Sequence, residues 1–202
     1  MKYKIKFIYI AAYMLLTFTS YSNDKVEHKI AVLVNEQLIT SYDIIQRMKL
    51  SAILQGIDIN EQNNQLLINN TVDELIQEKL KIEKIKEYKV KIEDEEYLED
   101  EINFFKRNNL NKSEIMDLLE LNNIEYSELK NLLINEVSWN KLINGLFLRL
   151  TSASEMEVEE ILSKNPNLTE SMAENFVLQR QLELKSSKML RDMLNEATIE
   201  YK

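Results

Sequence analysis

The chain has 202 residues, with 25 Lys and Arg against 34 Asp and Glu, a single His, no Cys, two Gly and one Pro. Glycine and proline fall far below their average usage of about 7% and 5%, so the turns of a sandwich, barrel or doubly wound sheet are missing and a mostly helical chain is expected. With no Cys and only His28, neither disulfides, a cysteine nucleophile nor a His or thiolate metal site can form; Gly56 and Gly145 are too far apart for a phosphate loop, and a net charge of −9 opposes nucleic acid.

Residues 1–22 carry Lys2, Lys4 and Lys6 ahead of an apolar run from Phe7 to Phe18, and end in Ser20-Tyr21-Ser22. A basic start, a short apolar stretch and a small-residue end form the pattern of a cleaved secretory signal peptide. The apolar run is shorter than the roughly 20 residues that span a bilayer, so a retained membrane anchor is the lesser reading and no stable membrane insertion is expected after cleavage. The mature chain would start near Asn23 with 22 basic and 34 acidic residues, a charge of −12.

Residues 23–29 are polar. Ile30 to Val34, the turn-prone Asn35-Glu36-Gln37, and then Leu38-Ile39 predict a short β-hairpin, which alone is marginal and needs a partner. Thr40 or Ser41 reads as the N-cap, with Asp43 three residues after Thr40 in the manner of a capping box, of a helix over 42–55 that Gly56 stops. A long helix is expected over 61–88, where Ile68, Val72, Leu75, Ile82 and Ile85 fall on one face and Ile76 and Leu80 widen it. The acids from Glu93 to Glu96 suit the positive end of a helix running to Arg107, with Leu98, Ile102 and Phe105 inward. Ser113 is the expected cap of a short helix holding Ile115, Met116, Leu118 and Leu119. Ser127 starts a helix that continues through Trp139 to Leu150, apolar enough for the centre of a bundle. Ser154 and Glu157 repeat the capping box for a helix to Ser163, and Asn165-Pro166-Asn167 is a strong breaker. A last long helix over 169–196 aligns Leu178, Leu182, Met189 and Met193. Residues 197–201 alternate like a strand; docked on the hairpin, that strand would bring the chain ends together and supply its missing partner.

Residues that carry chemistry are few. His28 lies in the polar leader with no spacing that suggests a triad or a ligand set. The acids Glu93 to Glu101 lack the turning Gly of a calcium loop and read as a solvated helix start. No metal, cofactor or catalytic group is expected. Methionine repacks around different apolar guests, so Met48, Met116, Met156, Met172, Met189 and Met193 either fill a core or face a client. Neighbouring residues on a helix point about 100° apart, so Phe104 and Phe105 cannot both aim into one core and one of them is free to line a groove. Trp139 is either a core anchor or a platform for aromatic side chains.

The run Ile30-Ala31-Val32-Leu33-Val34-Asn35-Glu36-Gln37-Leu38-Ile39-Thr40-Ser41-Tyr42-Asp43-Ile44, placed behind a signal-like segment, resembles the start of the SurA-type periplasmic chaperones, where V-A-x-V-N-x-x-x-I-T-x-x-D leads from a hairpin into a helix. Leu75-Ile76-Gln77-Glu78-Lys79-Leu80 is similar to the family's L-I-x-x-x-L helix, and Val90 to Glu96 to its V-x-I-S-D-E-E junction. Residues 127–160 are similar to its I-x-x-E-x-x-W/I-x-x-L helix and the V-S-E-x-E-V start of the next module. The resemblance implies a mostly α fold: a SurA-like N-terminal chaperone module over 23–165 with a small β-hairpin, joined by a C-terminal helix and strand over 166–202. The parvulin-type prolyl isomerase domains that normally follow the position of Glu160 have no counterpart, and their paired His and G-D-L-G stretch are missing.

What the resemblance implies is a periplasmic holdase for unfolded outer-membrane protein segments, with no cofactor and no catalysis. A groove between helices, lined by Met48, Phe104, Phe105, Trp139, Phe147, Met172 and Phe176, would take extended aromatic-rich segments while the acidic surface keeps the complex soluble. The alternatives are a structural adaptor or homodimerisation module and, against the missing groups, a prolyl isomerase.

Overall fold

The computed structural model describes residues 29–202, so the signal-like segment and His28 lie outside the described residues. Strands β1 (Ile30–Val34) and β2 (Gln37–Thr40) form the expected hairpin, and β3 (Ile199–Tyr201) pairs antiparallel with the free edge of β1. Val34 sits opposite Ile199 and Val32 opposite Tyr201. The two ends of the described chain therefore share one small sheet.

Asn35 makes that closure specific. It turns the hairpin in the left-handed region, φ 52°, which Asn tolerates better than most residues. Its amide donates to the Thr198 carbonyl at 2.8 Å, and its Oδ1 accepts from the Thr198 amide at 3.0 Å. Its Nδ2 donates to Glu83 at 2.9 Å, on helix α2 (Asn64–Glu87). The inner face of the sheet, Val32, Val34 and Ile39, is buried on Leu75, Ile76 and Leu80 of α2.

Helix α1 (Ser41–Gln55) begins with the predicted capping box, Thr40 accepting from the Asp43 amide while Asp43 accepts from the Thr40 amide. It ends at Gly56, φ 64°, with the Ile57 amide reaching back to the Ala52 carbonyl at 2.9 Å. Three more helices stop in the same way without glycine. Lys89, Asn109 and Asn123 hold φ of 53°, 52° and 54° after α2, α3 (Asp94–Arg107) and α4 (Lys112–Leu121). In each case the next, apolar residue closes the motif: Val90 onto Ile85, Leu110 onto Phe105, and Ile124 onto Leu119.

The cap of α4 is Asn111 rather than Ser113: the Asn111 side-chain Oδ1 accepts from the Ser113 amide at 2.9 Å. Helix α5 (Tyr126–Phe147) starts one residue before Ser127 and gives way to a 3-10 turn, Leu148–Leu150. Helix α6 (Glu155–Lys164) carries the expected Ser154–Glu157 capping box, and α7 (Glu170–Glu196) is capped by Thr169.

Helix α5 is the axis of the bundle. Its first half contributes the fully buried Leu129 and Leu133 to a core shared with Leu50, Tyr97, Phe105, Ile115, Leu119 and Ile124. Its second half sets Trp139, Leu142 and Ile143 against Leu182 of α7, with Ile85 of α2 alongside. The start of α7 instead pairs with α6 through Val158, Ala173 and Val177, forming a two-helix arm whose main contact is internal. The inward face of α3 differs from the expected one. Phe105 is buried as expected, but Leu98 and Ile102 are 53% and 65% exposed, and Tyr97 and Glu101 take the buried positions instead. Among the described residues, no helix is long and apolar enough to cross a membrane.

Candidate functional site

The residues expected to line a single groove occupy three separate environments. Met48, Phe105 and Trp139 are buried and belong to the packed interior. Phe104 meets Phe105 edge-on, ring centroids 5.4 Å apart at 81°, and packs half-buried on the rim of the same core. The adjacent-Phe conflict is thus resolved inside one cluster rather than by opening a groove. Trp139 is an anchor: its indole N–H donates to the Ser186 hydroxyl at 2.9 Å, and it sits among Leu142, Ile143 and Leu182. Phe147 is half-buried and lines a cleft between α2, α5 and α7. Met172 and Phe176 stand one turn apart on α7 with 54% and 58% of their surface open to solvent.

Among the described residues, several clefts flank the central helix, and two of them contain residues expected to line the groove. One, of about 400 Å3, is polar: Arg47 donates to Glu78 at 2.5 Å, Asn135 donates to the other Glu78 oxygen at 3.1 Å, and Lys81 lies 5.7 Å from the Trp139 ring centroid. Burial lowers the Lys81 ammonium pKa, against the pull of Glu136 and Glu78. The Arg47–Glu78 ion pair and the Asn135 hydrogen bond across it tie α1, α2 and α5 together, and most of its lining side chains are polar or charged. The other cleft, of about 530 Å3, has Phe147, Met189 and Met193 in its lining.

Glu101 gave no signal in the sequence beyond its place in an acid run. It is 4% exposed and accepts from the Tyr97 hydroxyl at 2.5 Å, from the Tyr126 hydroxyl and from the Lys112 ammonium. Burial pushes its carboxyl up, but the hydrogen bonds from Lys112, Tyr126 and Tyr97 outweigh this and hold it below the usual carboxylate range. Burial and the same carboxylate raise the Tyr126 hydroxyl to about 12 and drive Tyr97 higher still. Both tyrosines stay protonated donors at neutral pH, so the cluster is a clamp joining α3, α4 and α5. Among the described residues no group of three His, Asp or Glu could hold a metal ion.

Exposed apolar side chains are spread over several elements, Leu66, Leu98, Ile102, Leu121 and Tyr201 among them, and the arm and its approach carry a further set. Leu150, Met156, Met172, Phe176 and Leu184 each leave more than half of their surface in water. Buried Ala173 and Val177 hold the inner seam of the same helix, so Met172 and Phe176 are a second, unpartnered face.

No family model matches this chain, and no curated protein matches it. One solved chain that is similar is a SurA-like chaperone of Campylobacter jejuni, from the structurally related pair of the virulence factor PEB4 and the periplasmic protein Cj1289. Identity is 21% and the TM-score 0.37, over 68% of this chain and 50% of that one. This chain spans about half the length of that protein, and a likeness so loose leaves function to be argued from the residues.

Proposed function

We propose that this protein is a non-catalytic chaperone that holds unfolded polypeptides, segments of outer-membrane proteins among them, after export to the periplasm. The observation that carries the reading is the arm of α6 and α7, where Met172 and Phe176 form an apolar face that no part of the described chain covers. Flexible and aromatic side chains held in water bind extended chains weakly and without fixed sequence, which is what a holdase requires. The resemblance of the sequence motifs to SurA-type chaperones supports the same reading, and the excess of acids over bases keeps a loaded complex soluble. The test is dilution of a denatured outer-membrane β-barrel protein from urea, followed by light scattering. Stoichiometric amounts of the chain are expected to suppress aggregation. Unchanged scattering in stoichiometric excess overturns the reading, and a fixed-ratio complex with a folded partner alone would mark an adaptor instead.

A further inference from the structure

The cleft between the C-terminal ends of α2 and α5 and the last turns of α7 presents two lysines at one end, in a chain whose net charge is −9. Leu146, Phe147, Met189 and Met193 line it half-buried, and Tyr88 stands exposed at its side. Thioether and aromatic walls of this kind adapt to guests of different shape. Lys185 and Lys188 border it one turn apart on α7, and the Lys185 ammonium lies 5.9 Å from the Phe147 ring centroid. Neither lysine has a carboxylate partner among the described residues, whereas Lys84 on the opposite wall is paired with Glu87 at 2.7 Å. Asp192 and Glu196 line the cleft further along α7, so the unpaired positive charge is concentrated at the Phe147 end.

Resting on the holdase reading, we propose that this cleft seats a client segment in which a large apolar side chain is flanked by a carboxylate. The apolar side chain enters among Phe147, Met189 and Met193, and the carboxylate meets Lys185 and Lys188. A client with a basic neighbour would bring a third cation to the same place and be repelled. The cleft therefore sorts segments by the sign of their flanks.

The test uses the whole chain and two short labelled peptides that share a central Phe-Leu pair, one flanked by Asp and the other by Lys, with binding read by fluorescence anisotropy. The acidic peptide is expected to bind about tenfold more tightly at low salt, from two charge contacts at a half-exposed site, and the gap should narrow as salt rises. Lys188→Glu, at an exposed position, should shrink the preference, and Lys185→Glu with Lys188→Glu should remove or invert it, with the circular dichroism spectrum unchanged. Equal binding of the two peptides, or a preference that survives the double reversal, overturns the proposal. If aggregation is suppressed while the peptides bind equally, the cleft assignment fails and the holdase reading stands; if the peptides are sorted but aggregation is not suppressed, the holdase reading fails and the cleft assignment stands.

Discussion

Lys89 ends α2 in a backbone conformation that costs a side-chain-bearing residue about 1–2 kcal/mol, yet the helix needs it there so that Val90 can turn back under Ile85. Lys89→Gly is therefore expected to stabilise the protein by about 0.5–1 kcal/mol, while Lys89→Ala brings no such gain. Urea unfolding of the two variants beside the parent checks this, and an equal response to Gly and Ala would refute it. Asn109 and Asn123 already use the residue type that best replaces glycine, so the same substitution there should gain less. At Glu101 the sign runs the other way. Its carboxyl is held below the usual value near 4.5, so its contribution is full at neutral pH and is lost as pH falls from about that value through the lower folded one. Glu101→Gln is expected to cost about 1–2 kcal/mol at neutral pH and to flatten the loss of stability on acidification, measured as urea midpoints across the acid range. Glu101→Ala should cost more, because two buried hydroxyls and the Lys112 ammonium then lose their acceptor.

Elements whose start and stop signals lie within a few residues are legible in the sequence: the hairpin, the Thr40–Asp43 and Ser154–Glu157 caps and the stop at Gly56 all depend on neighbours. The buried face of α3 is not legible in this way. Leu98 and Ile102 are the more apolar choice, but Glu101 goes inward because Lys112 and Tyr126, 11 and 25 residues further on, supply its donors. Trp139 has the same history, since the acceptor that makes it an anchor is Ser186, 47 residues away. The expectation of one groove fails for that reason: it gathered aromatic residues by type, whereas long-range partners decide which of them are core. The β3 strand lies between these cases, because its alternation is local but its worth depends on the distant edge of β1. Deleting residues 199–202 removes that pairing and the partly buried Ile199, and is expected to cost about 1–3 kcal/mol. It also bares the outer edge of β1, a template for intermolecular pairing, so the truncated chain should scatter light at concentrations where the parent stays clear. An unchanged urea midpoint would mean that the hairpin is held by α2 alone.

At the scale of the molecule, a chain that keeps Phe and Met side chains in water must avoid binding itself. An excess of nine acids over bases supplies a repulsion between copies that does not prevent a neutral unfolded segment from approaching. The arm is where these demands meet, because its inner seam of Val158, Ala173 and Val177 keeps it folded while Met172 and Phe176 face outward. On the proposed reading, this division would separate fold from function in a single helix. Replacing Met172 and Phe176 together with Ser removes mainly exposed apolar surface, so the unfolding midpoint should move by no more than about 1 kcal/mol equivalent, while suppression of client aggregation falls several-fold. Val177→Ser, one residue further along but fully buried, should do the reverse at first order: it loosens the arm by roughly 1–3 kcal/mol and speeds amide hydrogen exchange in α6 and the start of α7, with the sheet and the Leu129–Leu133 core unaffected. If the outward pair leaves suppression intact, clients are held elsewhere on the molecule, and the face of Met172 and Phe176 is not the binding surface.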